Sequence, residues 1–123
     1  MLTRHLQILM EQGLREARDG RYESAMELYD MALTGYPAYA EAWAWKAAAY
    51  AQLNNFSAAL ECADAAISAD PHYEWGYYRK ACTLESMGKP LAAFGVYGAV
   101  LEINPDFRIA EMRKRELKKR LGM

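Results

Sequence analysis

An all-α fold, a solenoid of three antiparallel helix pairs closed by a seventh helix, is predicted by three observations. Alanine is abundant and β-branched residues are scarce, so the 123-residue chain leans to helix. Pro37, Pro71 and Pro105 stand 34 residues apart. Small residues recur in the same register: Gly13, Ala47 and Ala81; Ala25, Ala59 and Ala93; Ala32, Ala66 and Val100. Small side chains at fixed places let two helices approach closely. Large ones recur beside them as Leu9, Trp43 and Tyr77, and as Leu33, Ile67 and Leu101. The period divides a single domain, 1–123, into units 6–39, 40–73 and 74–107.

The first helix, 3–18, carries Leu9 and Gly13 and stops before Gly20, because glycine closes a helix in the left-handed conformation. The second, 22–35, holds Tyr22, Ala25, Tyr29 and Ala32 and ends at Tyr36-Pro37, since the residue before proline is biased away from helix. The third, 40–53, presents Trp43, Ala47 and Tyr50 and ends at Asn54-Asn55. In the fourth, 57–69, Ala59 is expected to meet Ala47 at the tightest crossing of the middle unit; Asp70-Pro71 ends it. The fifth, 74–87, carries Tyr77 and Ala81 up to Gly88. The sixth, 90–103, begins with Pro90, which suits a first turn, and ends at Asn104-Pro105. It contains Gly95 and Gly98, each costing about 1 kcal/mol against alanine. They read either as tolerated drift or as the place where a second copy of the chain approaches in a weak homodimer. The seventh, 107–121, has Asp106 as its expected N-cap and Phe107, Ala110, Leu117 and Leu121 on its apolar side.

With these residues in register, the chain resembles the tetratricopeptide repeat family. The family pattern pairs a large residue, a small residue and a tyrosine in one helix with alanines and a closing proline in the next. The second unit carries it as Trp43, Ala47, Tyr50, Ala59, Ala66 and Pro71. The first shows Gly13, Gly20, Tyr22, Ala25, Tyr29, Ala32 and Pro37, and the third Tyr77, Ala81, Gly88, Ala93, Tyr97 and Pro105. Gln12, Lys46 and Lys80 depart from it where leucine is usual. The resemblance implies a right-handed superhelix and a concave groove lined by the first helix of each pair.

A helical residue advances about 100° around the axis. Taking Leu9, Trp43 and Tyr77 as the centre of the buried stripe, a second face holds Met10, Leu14 and Arg18 in the first unit, Glu41 and Trp45 in the second, and Trp75, Tyr78 and Arg79 in the third. The resemblance makes that face the groove. The function expected is a non-catalytic protein-interaction module, with these eight residues gripping an unidentified peptide or protein segment. The other reading of the rings is that they fill the interior of the superhelix.

Relatives that hold a terminal carboxylate use lysine, asparagine and arginine at five places, which here carry Met10, Leu14, Trp45, Trp75 and Arg79. Only Arg79 matches, so a receptor for chaperone tails is not expected. The runner-up is a small secretion chaperone of the bacterial type, whose longer N-terminal helical extension this sequence lacks.

Charge is unevenly placed. Residues 1–107 hold 8 basic and 14 acidic side chains, and residues 108–123 hold 7 basic and 2 acidic. The basic end suits a helix dipole and a solvated cap. With no aromatic residue among those charges after Phe107, nucleic acid is not the expected partner, and a factor that docks RNA or an acidic partner on the basic helix is the least favoured reading. His5 and His72 are far apart with no ligand set around either, and no phosphate loop or nucleophile motif is present. No enzyme activity, cofactor, metal or small-molecule substrate is expected. Cys62 and Cys82 are read as free thiols of a reducing compartment, and with no signal peptide or membrane span in view a cytoplasmic location is expected.

Overall fold

A computed structural model of the chain describes residues 2–123. Seven helices follow one another: α1 Leu2–Arg18, α2 Tyr22–Gly35, α3 Ala40–Gln52, α4 Phe56–Ala69, α5 Glu74–Ser86, α6 Pro90–Ile103 and α7 Arg108–Arg120. The described residues contain no strand. Each expected boundary lies within one residue of the observed one. Successive helices pack as the pairs α1–α2, α3–α4 and α5–α6, and α3 also lies beside α5.

The turns inside the pairs repeat as faithfully as the helices. Gly20, Asn54 and Gly88, at one repeat position, have φ of 81°, 61° and 74°. Only glycine and, at modest cost, asparagine adopt that conformation readily. The following N–H then reaches back over the last helical turn: Arg21 N to Glu16 O, Asn55 N to Tyr50 O and Lys89 N to Leu84 O, each 2.9 Å. The turns between pairs are also alike, with Tyr39, Tyr73 and Phe107 donating to the carbonyls of Tyr36, Asp70 and Asn104 at 3.1 Å.

Asp106 is not the cap of α7. Its own N–H donates to Asn104 Oδ1 at 3.1 Å, and Phe107 occupies the cap position without a side-chain bond. The short side chain of Asn104 closes the turn locally before an acid at 106 has an amide to accept from.

The recurring small residues are buried: Ala25, Ala59, Ala66, Ala81, Ala93 and Val100 fully so, with Ala47 1 % exposed. Lys46 and Lys80, which depart from the repeat pattern, pair with Asp30 at 2.7 Å and Asp64 at 2.9 Å. Each joins the first helix of one pair to the second helix of the pair before it. Gly95 is open, with nothing within 4 Å of where a Cβ would lie. Gly98 is covered instead by this chain's own Lys114, whose Nζ lies 3.2 Å from that point and 5.0 Å from the Phe94 ring.

Two expected groove residues are buried. Met10 is 3 % exposed, inside the core of the first pair with Leu6 and Leu9. Tyr78 is 7 % exposed, whereas Tyr77, expected at the core, is only half-buried. Phe107, folding over from the turn before α7, covers Tyr78 at 5.2 Å and Trp75 at 4.8 Å between ring centroids. A helix that packs on α3, α4 and α6 together buries a wider arc than the stripe facing its partner alone, and that arc takes in Tyr78.

Candidate functional site

Four side chains of α3 and α5 cluster on the face expected to be the groove. The Arg79 guanidinium carbon lies 4.9 Å from the Trp45 ring, 5.5 Å from Trp75 and 5.6 Å from Tyr78. Trp75 and Tyr78 meet edge to face at 5.4 Å, so the rings that hold the cation are themselves fixed. Arg79 makes no ion pair among the described residues. Burial lowers its pKa, because the surrounding rings replace water without replacing its hydrogen bonds.

Beside this cation opens a cavity of about 560 Å³, lined by Leu14, Arg18, Tyr22, Trp45, Gln52 and Arg79 over a floor of alanines. Its charged lining residues, Arg18 and Arg79, are both basic. The cavity therefore offers apolar and aromatic surface next to positive charge, on a body that is otherwise acidic. That chemistry suits an anionic group attached to something hydrophobic.

Of the eight expected groove residues, this cavity unites Leu14, Arg18, Trp45 and Arg79. Trp75 stacks behind Arg79 and borders a separate hollow with Phe107 and Ile109. Met10 and Tyr78 are core. Glu41 lies in a second cavity of about 510 Å³ at the loop edge, with Tyr36, Tyr39, Asp70 and Tyr73. Sequence reasoning missed Tyr22, Tyr36 and the role of Tyr39 and Tyr73. One signal was available, since Tyr39, Tyr73 and Phe107 place an aromatic ring at the last position of all three units.

Four basic residues of α7 have partners within their own chain. Arg113 and Arg120 approach Glu85 at 3.6 and 3.8 Å, Arg115 pairs with Glu111 at 2.9 Å, and Lys114 lies over Phe94. No group of histidine, cysteine and acidic residues that could hold a metal is found among the described residues. No described helix is long and apolar enough to cross a membrane.

Sequence profiles of the tetratricopeptide repeat match residues 16–83 and 76–107. No curated protein sequence matches the chain. Among solved structures, the first TPR domain of Spaghetti (RPAP3), bound to an HSP90 peptide SRMEEVD, is 23% identical, with 98% of each chain covered and a TM-score of 0.91. The first TPR domain of human RPAP3 is 24% identical over 95% of this chain and 92% of its own, with a TM-score of 0.89. The Arabidopsis OM64 TPR domain is 20% identical over 97% and 98%, with a TM-score of 0.85. At these identities the likeness is one of fold.

Proposed function

The chain belongs to the tetratricopeptide repeat family, and from that premise we propose that it is a non-catalytic interaction module that holds an extended acidic peptide segment on its concave face. The observation that carries this reading is Arg79, a cation set among Trp45, Trp75 and Tyr78 with no acidic partner among the described residues. An unpaired cation kept partly out of water is costly in the free protein. A carboxylate from a ligand supplies the missing charge-assisted bonds, and Trp45 and Leu14 cover the apolar part of the same segment.

The HSP90 peptide held by the Spaghetti domain prompts the question whether this chain takes a similar tail. Met10, Leu14, Trp45 and Trp75 stand at four of the five places where the family resemblance implies polar donors. Met10 is also closed off in the core. The ligand proposed here is therefore an internal segment with an acidic side chain beside an apolar one, not a chain terminus. Because four of the basic side chains of α7 are engaged by Glu85, Glu111 and Phe94, the basic helix acts as a cap and not as a nucleic-acid surface.

A display library of internal peptide sequences tests the reading. Selected sequences are expected to share an acid next to an aromatic or large aliphatic residue, and to lose binding to the Arg79→Gln protein. Selection of sequences without an acid, or binding unchanged in Arg79→Gln, would overturn it.

A further inference from the structure

We propose that the second cavity, at the loop edge of the concave face, is a subsite for an arginine side chain of the bound peptide. That the arginine arrives on a peptide rests on the reading above; the affinity of the cavity for a guanidinium does not.

Tyr36, Tyr39 and Tyr73 wall this space of about 510 Å³, and Glu41 and Asp70 edge it. Tyr36 and Tyr39 stand edge to face at 6.1 Å, so their positions are mutually set. Both carboxylates are held by one oxygen only. Tyr39 donates its phenol to Glu41 Oε2 at 3.0 Å, and the His72 N–H donates to Asp70 Oδ1 at 3.0 Å. The second oxygen of each makes no hydrogen bond among the described residues, and neither acid makes an ion pair among them. No basic side chain lines the cavity among the described residues. Its negative field is felt most clearly at Tyr39, where Glu41 adds to burial in raising the pKa to about 12; at Tyr73, burial, Glu41 and Glu74 raise the pKa and Arg79 lowers it.

Aromatic faces joined to unpaired carboxylates are complementary to a cation. A guanidinium fits better than an ammonium, because its flat face lies on a phenol ring while its fork reaches carboxylate oxygens. The cation at Arg79 lies on Trp45, one turn of α3 beyond Glu41 and about 6 Å along the helix. The groove is thus polar along its length, and a ligand with an arginine close to an acid enters it in one direction only.

The test uses the whole chain, labelled with nitrogen-15, and three small probes: N-acetyl-arginine amide, its uncharged isostere N-acetyl-citrulline amide, and N-acetyl-lysine amide. The arginine probe is expected to shift the amides of Tyr36, Tyr39, Glu41 and Tyr73 in a saturable way. The citrulline probe should bind at least about fivefold more weakly. Asp70→Asn, at an exposed position, should weaken the arginine probe without moving the unfolding midpoint, and Glu41→Gln should do the same. Citrulline binding as tightly as arginine, or shifts unaffected by both variants, would overturn the subsite; lysine binding as tightly as arginine would overturn the guanidinium assignment. Failure of the acidic peptides at Arg79 would overturn the groove reading instead, and would leave these probe titrations unchanged.

Discussion

The Tyr97 phenol donates to Glu85 Oε1 at 2.7 Å, tying α6 to α5 at the point where α7 docks. Tyr97 is fully buried, and its second contact is the Cys82 sulfur at 3.5 Å. Arg113 and Arg120 approach the same carboxylate from α7. Glu85 therefore serves the core and the cap together.

Replacing Glu85 by alanine deprives a buried hydroxyl of its main partner and should destabilise the chain by about 1–3 kcal/mol. Glu85→Gln keeps an acceptor for Tyr97 and loses only the two half-exposed ion pairs, worth about 0–1 kcal/mol. Urea unfolding of the two variants checks the order. Amide exchange across 108–120 should quicken in both. Equal unfolding midpoints for alanine and wild type would show that Tyr97 does not depend on this carboxylate.

Gly13 of α1 leaves the room that the Tyr29 ring of α2 fills. A Cβ at residue 13 would lie 2.9 Å from Tyr29 Cδ1, and the ring is fully buried. Gly13→Ala should destabilise by about 1–3 kcal/mol through overpacking, against a gain of about 1 kcal/mol in helix propensity. The Tyr29 hydroxyl has no hydrogen-bond partner among the described residues. Tyr29→Phe should thus be neutral or stabilising by about 1 kcal/mol at pH 7.

The same ring also predicts a pH effect. Burial raises the Tyr29 pKa from 10.0 to about 12. A group raised in the folded state contributes stability that is complete below pH 10 and is lost as pH rises through 12. Over that window wild type should lose stability relative to Tyr29→Phe, by at most about 1.4 kcal/mol per pH unit. Parallel pH profiles for the two proteins would contradict this.

Tyr77 and Tyr78 exchange the roles a single helical wheel predicts. Tyr78→Ala removes a ring stacked with Trp75 and Phe107 and should cost about 3–5 kcal/mol. Tyr77→Ala, at a half-buried position, should cost distinctly less. Thermal melts of the pair decide the matter, and a larger loss in Tyr77→Ala would restore the wheel.

That exchange shows where the sequence is legible and where it is not. Helices and turns repeat at 34 residues because each pair meets the same local demands, so Gly20, Asn54 and Gly88 mark every turn. The buried stripe of one helix against its partner follows from periodicity alone. What periodicity omits is the neighbouring pair. Met10 and Tyr78 are enclosed by helices and turns outside their own pair's stripe, and the fold of Phe107 over α5 depends on how the last units stack. Arg79, Trp45 and Leu14 are legible because they stay on the lining of one cavity. The arginine subsite was not, since Tyr36, Tyr39 and Tyr73 reach it from two different turns.

Arg79, held on Trp45, is the group proposed to bind an acidic side chain of a peptide. Arg79→Met should bind no acidic peptide well and yet unfold no earlier than wild type, because it removes an unpaired, partly buried charge. The direct measurement is a double-mutant cycle by calorimetry. It uses a peptide selected on the wild-type protein and its Glu→Gln or Asp→Asn analogue, each titrated into wild type and Arg79→Gln. A coupling energy of about 1.5–3 kcal/mol between Arg79 and one peptide acid is predicted. Additive effects, with every peptide acid replaced in turn, would contradict it.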